Sequence, residues 1–231
     1  FDFENAYLRQ VSPVIRDQKG IIVKYLGDGM MAVFPDGVED AIAAGIAKLR
    51  SVADYNSRRQ SKGFKPIAVG IGIHFGHMMV GMVGESARMQ GDAFSDNVNL
   101  TARLESLTKL YGVSMVMSGH ALSLLSDRDR YHTRFLDRVI VKGRSEPIDL
   151  YQVIEGEPAE VIAQIEQTKE IFVAGIAYYQ SGDFARAQDC FEEILRQNAT
   201  DKTAQIYCDR LSTLIQSPPE HWNGVWSLTQ K

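Results

Sequence analysis

Two short polar segments, far apart in the chain, carry residue types that suit nucleotide and phosphate chemistry. The first is Lys24-Tyr-Leu-Gly-Asp-Gly29, and the second runs from Asp92 through Asn99 to Arg103. A lysine and a carboxylate can read the hydrogen-bonding edge of a base, and a carboxylate at a turn can bind Mg²⁺. An arginine with an asparagine can stabilise charge that develops on a phosphoryl group. Each segment supplies groups that the other lacks.

Taken one at a time, these residues also have ordinary structural explanations. Asp28 before a glycine is a common turn residue, and Lys24 between apolar residues is typical of a lysine that reaches water from a strand edge. Asn99 and Arg103 are four residues apart and share a helix face, so an exposed polar pair, with Arg103 bridging a carboxylate, explains them as well. Chemistry is indicated only by their combination.

The elements that must position these residues alternate between strands and helices. Asp28-Gly29 predicts a tight hairpin, and alternation places Lys24 on the strand face of Ile22 and Leu26, opposite Val23. The spacing is not that of a Rossmann fold, so we predict an α+β fold, a mixed sheet with helices packed on it. Strands are predicted at 21–26, 30–34, 67–74, 78–83, 113–117, 134–142 and 148–154, and helices at 1–18, 40–55 and 97–110.

A domain boundary is predicted near residues 155–158, beyond which the pattern is helical at 160–180, 184–196 and 203–215. The series from Ala177 through Gly182-Asp-Phe to Ala187 resembles a single tetratricopeptide-type repeat. Solenoids need about three repeats to bury a core, so we expect residues 155–231 to pack on the preceding domain, on a second protomer or on a protein partner. Trp222 and Trp226 are interpreted as a structural clasp rather than as docking residues.

Composition indicates a globular protein without nucleic-acid or membrane partners in this segment. The chain has 231 residues, of which 45% are hydrophobic and 23% charged, and its formal net charge is −4. Its densest basic stretch, residues 58–65, is interpreted as a solvated helix end and loop. Cys190 and Cys208 show neither zinc nor disulfide spacing, which favours a reducing, cytoplasmic compartment. No apolar run approaches the roughly 20 residues of a membrane span.

Five motifs occur in an order that is informative as a whole. They are Lys24-x-x-Gly-Asp-Gly, Gly70-Ile-Gly-Ile-His-Phe-Gly76, Val80-Gly-x-Val-Gly84, Val98-Asn-x-x-Ala-Arg-Leu-Glu105 and Val141-Lys-Gly143. This series resembles the class III nucleotide cyclase catalytic domain over residues 1 to about 154. The resemblance implies a ferredoxin-like βαββαβ-type sheet and adenylyl cyclase activity, a lyase reaction that makes a cyclic nucleotide for signal transduction. His74, inside the second motif, is interpreted as an ordinary strand residue.

In that family two aspartates hold two divalent cations, Mg²⁺ or Mn²⁺, and Asp28 matches the second of them. The first belongs to a Phe-x-Asp-Ile strand motif, which we expect to precede Phe1. The chain begins without Met inside a helical pattern, so we expect an N-terminally truncated domain of a longer protein, in which a sensor or membrane tether lies upstream. Ser95 stands where the family usually has glycine.

The remaining family roles transfer to five positions. Lys24 and Asp92 match the pair that reads the purine, Asn99 and Arg103 match the transition-state residues, and Lys142 matches the lysine that contacts the triphosphate. Adenine presents an acceptor at N1 and a donor at the 6-amino group, whereas guanine presents the opposite polarity. Lys24 can donate to the first and Asp92 can accept from the second. Each mismatched buried group costs about 1–3 kcal/mol, so the pair favours ATP over GTP.

The implied reaction is attack of the ribose 3′-hydroxyl on the α-phosphorus of ATP, with pyrophosphate as the leaving group. In the family, the metal side and the base side of one site come from different protomers, which implies a homodimer with two equivalent sites. Because only Asp28 matches a metal ligand, a non-catalytic module for nucleotide binding or dimerisation is the alternative. A helical scaffold that binds a partner through residues 160–231 is a third, weaker interpretation.

Overall fold

The computed structural model describes residues 2–85 and 88–228, and its architecture is the predicted α+β arrangement. The helices are α1 (Asp2–Asp17), α2 (Val38–Gln60), α3 (Asp96–Tyr111), α4 (Gly119–Ser123), α5 (Ala159–Ser181), α6 (Phe184–Gln197) and α7 (Lys202–Gln216). The strands are β1 (Ile21–Leu26), β2 (Gly29–Val33), β3 (Ile71–Ile73), β4 (Met79–Glu85), β5 (Arg88–Phe94), β6 (Met115–Ser118), β7 (Thr133–Val141), β8 (Ile148–Val153) and β9 (Trp226–Leu228).

A five-stranded mixed sheet in the order β3-β6-β8-β7-β9 forms the centre of the molecule. Strand β6 is buried along its whole length. Its Met115 and Met117 pack in a core cluster with α2, whereas Val116 packs with Leu100 and Leu104 of α3. Since neighbouring side chains on a strand point to opposite faces, the two helices cover opposite faces of the sheet.

Glycines of the second motif allow α3 to approach β3 closely. A β-carbon added at Gly72 would lie 2.5 Å from the backbone nitrogen of Glu105 and from the backbone oxygen of Thr101, both in α3. A β-carbon at Gly70, two residues earlier, would meet Thr108 of the same helix. The strand therefore presents bare backbone to α3, which fixes the height of that helix above the sheet.

Strands β1 and β2 form the predicted hairpin, but its details differ from the expectation. The two-residue loop is Gly27-Asp28, and Gly27 has a φ of 63°, as in turns that place glycine first. The register shifts at Val23, so that Ile22 pairs with Ala32 while Lys24 pairs with the adjacent residue of β2. Paired residues share a face, so the prediction that Lys24 shares a face with Ile22 is wrong; the β-bulge reverses it.

Two strands have no sequence signal. Strand β5 has the sequence Arg-Met-Gln-Gly-Asp-Ala-Phe, without apolar alternation, and it pairs with β4. Strand β9 is three residues long and forms only because β7 offers a parallel edge. The strand predicted at 67–74 is shortened to Ile71–Ile73.

The C-terminal helices pack on the sheet domain, which is one of the three surfaces expected for them. Helices α5, α6 and α7 share a core that includes Phe172, Phe191 and Tyr207. Trp222 donates from Nε1 to the backbone oxygen of Tyr179 at 2.6 Å, in agreement with an internal clasp. Within the described part of the chain, no helix combines the length and apolar character needed to cross a membrane.

Candidate active site

The proposed base-reading pair is assembled directly by the fold. Nζ of Lys24 donates to Oδ1 of Asp92 at 2.7 Å, and each side chain is 21% exposed. The two residues lie on β1 and β5, and these strands are in contact: a β-carbon at Gly91 would lie 3.0 Å from the backbone oxygen of Val23. A lysine and a carboxylate separated by 68 positions therefore present adjacent donor and acceptor groups at one place on the surface.

The Asp92 carboxylate is held in its ionised form. Its Oδ1 also accepts from the backbone N–H of Ala93 at 2.8 Å. The hydrogen bond from Lys24 is the largest effect and lowers the pKa of Asp92; burial opposes it, and the Ala93 N–H and the charge of Lys24 lower the pKa further. An ionised carboxylate accepts hydrogen bonds only, so Asp92 selects a donor such as an exocyclic amino group.

Helix α3 begins immediately after β5 and carries the two residues predicted to act on the phosphate. Ser95 is the N-cap: its φ of −178° is extended backbone, and its Oγ accepts from the backbone N–H of Val98 at 3.1 Å. Serine in place of glycine is therefore compatible with this geometry and adds a capping hydrogen bond. Asn99, one turn along, is exposed, and Gly112 ends the helix with a φ of 68°.

Arg103 lies beside the turn that follows β7. A β-carbon added at Gly143 would be 3.5 Å from Nη2 of Arg103, and Lys142, next to this glycine, is exposed. Among residues 2–85 and 88–228, no carboxylate forms an ion pair with Arg103, so the carboxylate bridge considered for it from the sequence is not present there. Arg103 and the exposed Lys142 thus lie beside the same turn, neither with an ion-pair partner among the described residues, and cationic groups of this kind suit the binding of phosphates.

Asp28 is exposed at the tip of the β1–β2 hairpin, where no described hydrogen bond or ion pair joins it to the other five predicted residues. The negative charge of Asp28 shifts the pKa values of Tyr7 on α1 and Lys48 on α2. Burial raises the pKa of Tyr7 to about 12, with a smaller contribution from Asp28. Burial also lowers the pKa of Lys48, which Glu105 and Asp28 partly oppose. Asp28 and Glu105, which is two residues from Arg103 on α3, thus both act on the charge of Lys48, although no described bond joins Asp28 to the other candidate residues.

The donor set at Asp28 fits a divalent cation only in part. Mg²⁺ is commonly held by one or two carboxylates together with substrate phosphates and water, and Asp28 supplies one such carboxylate. In the described ranges, no three His, Cys, Asp or Glu side chains come together as a metal site. These residues fit one cation shared with a nucleotide, and they supply no carboxylate cluster for a second.

His74, interpreted from the sequence as an ordinary strand residue, supports the start of α3. Its Nδ1 lies 2.7 Å from Oγ of Ser118, and its Nε2 lies 3.2 Å from Oδ1 of Asn97. Asn97 donates in turn to the backbone oxygen of His77 at 2.9 Å. The sequence feature that could have indicated this role is the glycine spacing around His74. A β-carbon at Gly76 would collide with Asn97, so the glycine lets the chain after His74 approach the start of α3.

Comparisons with known proteins show which family the chain belongs to. The family model described as the adenylate and guanylate cyclase catalytic domain matches residues 5–155. A terminal-differentiation specific adenylate cyclase of Dictyostelium discoideum is 33% identical over 222 residues, which cover 90% of this chain and 10% of that protein. An adenylate cyclase of Anabaena cylindrica is 36% identical over 159 residues, which cover 66% of this chain and 32% of that protein. The chain thus spans a third or less of the length of these relatives.

Solved structures show the same fold. The adenylyl cyclase CyaB from P. aeruginosa superimposes with a TM-score of 0.55 at 29% identity, covering 66% of this chain and 80% of the other. The guanylyl cyclase Cya2 superimposes with a TM-score of 0.56 at 28% identity, covering 67% and 80%. Because the family model matches more than half of the residues of this chain, the chain belongs to the adenylate and guanylate cyclase catalytic domain family.

Proposed function

We propose that this chain is the catalytic part of an adenylyl cyclase that converts ATP to 3′,5′-cyclic AMP and pyrophosphate in a homodimer. The observation that carries the substrate choice is the 2.7 Å contact between Lys24 and Asp92. The similar structures include both an adenylyl and a guanylyl cyclase, so the purine assignment rests on this pair. Lys24 donates to N1 of adenine, and Asp92 accepts from the 6-amino group.

The phosphate end of the substrate is assigned to three residues. Arg103, beside the Gly143 turn, stabilises negative charge that develops on the α-phosphate. Lys142, exposed next to that turn, binds the leaving pyrophosphate, and Asn99 orients the ribose 3′-hydroxyl from the same face of α3. A Mg²⁺ or Mn²⁺ ion bound at Asp28 supplies charge neutralisation and a more acidic 3′-hydroxyl.

In the proposed homodimer, Asp28 and the other five residues of one site come from different protomers. Among the described residues, no hydrogen bond or ion pair joins Asp28 to the other five, and an apolar cleft of about 160 Å³ between α5 and β7 contains none of the six. The β4–β5 hairpin exposes large apolar side chains, and such patches mark interfaces. They are Met79 (74% exposed), Val80 (56%), Met82 (62%), Val83 (49%) and Phe94 (46%). A second copy seated on this hairpin brings its own Asp28 to the first copy's Lys24 and Asp92.

The test is a cyclic nucleotide assay on the full-length protein with Mg²⁺ and with Mn²⁺. Lys24→Glu places a second acceptor at the base edge, so we expect kcat/KM for ATP to fall by roughly tens- to thousands-fold. Adding Asp92→Cys removes one of the two adjacent carboxylates, so the one that remains at position 24 can accept from N1–H of guanine and preference shifts toward GTP. The control is Lys62→Glu, because Lys62 is exposed after α2. Absence of cyclic AMP from the unaltered protein overturns the proposal.

One observation favours a second function, a non-catalytic nucleotide-binding or dimerisation module. The described residues offer a single carboxylate, Asp28, to a metal, and no cluster of three potential ligands. A protein that binds ATP through Lys24 and Asp92 and dimerises, but makes no cyclic AMP with either metal, fits this alternative. Binding of a labelled ATP analogue, measured beside turnover, separates the two.

A further inference from the structure

Helix α7 of the C-terminal segment is joined to both elements that carry the phosphate-facing residues. Oδ2 of Asp137, on β7, accepts from the hydroxyl of Tyr111 at 2.6 Å and from Nη1 of Arg210 at 2.5 Å. Tyr111 is the last residue of α3, and Arg210 lies in α7. All three are almost completely buried. The buried carboxylate of Asp137 therefore lies where α3, β7 and α7 meet.

Further contacts hold the same junction. The hydroxyl of Tyr207, in α7, donates to the backbone oxygen of Leu136 at 2.8 Å. The hydroxyl of Thr203, also in α7, donates to the backbone oxygen of Tyr111 at 3.2 Å. A β-carbon at Gly112 would touch the Lys202 side chain. One helix therefore contacts the C-terminal end of α3 and the middle of β7 together.

These contacts lie on the same rigid elements as the candidate site. Arg103 is eight residues before Tyr111 on α3, about 12 Å along the helix axis. Lys142 follows Asp137 by five residues at the end of β7. Directional hydrogen bonds to a buried carboxylate admit few relative positions of the two elements, whereas apolar packing tolerates small shifts. The Dictyostelium match covers 90% of this chain and so continues past residue 155 into the helical segment.

We propose that Arg210 is a positioning residue of the cyclase: by holding Tyr111 and Asp137 together, it fixes α3, with Asn99 and Arg103, relative to β7, with Lys142. This inference rests on the proposed function and assigns the C-terminal helices a role in it. Reactions that depend on placement lose rate when a group moves by about an ångström. Loosening this junction therefore lowers kcat, while ATP binding by Lys24 and Asp92 on β1 and β5 is kept.

The chain offers a matched control for a merely structural effect. Nη2 of Arg134, on β7, donates to Oδ2 of Asp201, the N-cap of α7, at 2.7 Å, and these side chains are 8% and 4% exposed. This ion pair also joins α7 to β7 and is similarly buried, and although Lys202 and Thr203 next to Asp201 touch the end of α3, neither Arg134 nor Asp201 bonds to α3 in the described structure. Arg134→Lys and Arg210→Lys thus both weaken the interface between α7 and β7. Only Arg210 also bonds to a residue of α3, Tyr111.

The test measures kcat, KM for ATP and melting temperature for Arg210→Lys, Tyr111→Phe and Arg134→Lys in the full-length protein. Tyr111→Phe removes the hydrogen bond to Asp137 and a 3.5 Å hydrogen bond from Nη2 of Arg210, but it leaves the Asp137–Arg210 pair in place, so it keeps the fold. We expect the first two variants to lose about tenfold or more in kcat with KM changed less than about twofold. Arg134→Lys keeps its kcat at a similar loss of melting temperature. Equal kcat loss in the two Arg→Lys variants, or none in Tyr111→Phe, overturns the inference.

A second readout does not depend on turnover. Hydrogen exchange of the backbone amides at residues 96–111 is expected to accelerate in Tyr111→Phe and Arg210→Lys and to stay unchanged in Arg134→Lys. If the unaltered protein makes no cyclic AMP, the proposed function fails, and this exchange pattern still decides whether α7 positions α3. Exchange in α3 that is the same in all three variants and the unaltered protein overturns the positioning role.

Discussion

Arginine and aspartate occur in two regions of this molecule under opposite conditions. At the junction with α7, Arg210 and Asp137 form a buried ion pair, with side chains 6% and 1% exposed. On the candidate-site surface, Asp28 is exposed and Arg103 is half-buried, and neither has an ion-pair partner in the described structure. Residues of the same type are internally satisfied in the first region and left available in the second.

This difference separates structural from chemical roles better than residue type does. A buried charge without a partner is costly, so the fold must satisfy it. An exposed charge costs little when unpaired, so the sequence can leave it for a ligand. Lys24 and Asp92 are intermediate, because they are paired with each other and yet 21% exposed. A ligand that offers matching groups can reach them.

The largest expected effect breaks the buried side of this comparison. Asp137→Asn leaves the Arg210 charge buried without a counter-ion, so we expect the free energy of unfolding to fall by about 3–5 kcal/mol. The control is Asp149→Asn. Asp149 pairs with Arg138 at 3.7 Å, but these side chains are 39% and 49% exposed, and the loss should stay below about 1 kcal/mol. Urea unfolding measures the loss of free energy of unfolding in both variants. Equal losses contradict the conclusion that the buried Asp137–Arg210 pair is the more important for stability.

The next effect breaks the exposed side and appears in activity rather than in stability. Arg103→Ala removes the proposed transition-state stabiliser, so we expect kcat for cyclic AMP to fall about 10²–10³-fold, or roughly 3–4 kcal/mol. The free energy of unfolding should change by no more than about 0.5 kcal/mol, because Arg103 has no described ion pair to lose. Arg196→Ala, on the exposed face of α6, should leave kcat unchanged. A stability loss as large as the activity loss refutes the distinction.

The smallest effect concerns His74, which lies beneath the start of α3. Burial lowers the pKa of His74, the Asn97 hydrogen bond opposes this, and the charges of His120 and Arg144 lower it further. The unfolded state binds the proton more tightly, so stability is highest above about pH 6.5 and falls as pH drops through the folded pKa. We expect this slope to flatten in His74→Gln and to persist in His221→Gln, an exposed site. Urea unfolding at a series of pH values around and below 6.5 measures how the free energy of unfolding changes with pH. Identical slopes in His74→Gln and the unaltered protein exclude a contribution of His74 to this pH dependence.

Local signals in the sequence predicted the elements that carry most of the candidate residues. The Asp28-Gly29 pair indicated the hairpin, and the helical period with Gly112 at its end indicated the helix that presents Asn99 and Arg103. These features depend on backbone preferences over a few residues. The alternation of strand and helix patterns indicated the α+β class, and the family motifs added the expected roles of the site residues.

Other features were not predictable because they depend on distant partners. The bulge at Val23 changed the face shared by Lys24 and Ile22, and β9 forms only on the edge of β7. His74 gained its role from Ser118, 44 positions away, and Asn97, 23 positions away. No local pattern encodes such contacts.

By itself, the sequence determined which residue types are available and which short elements carry them, since turns, caps and helical periodicity are set by neighbouring residues. Only the tertiary structure decided which charges meet. It brought Lys24 to Asp92 across 68 positions and Arg210 to Asp137 across 73. It also left Asp28 and Arg103 without ion-pair partners in the described structure. The physical reason is that pairing and burial depend on how distant elements pack, and packing selects which polar groups are satisfied within the protein.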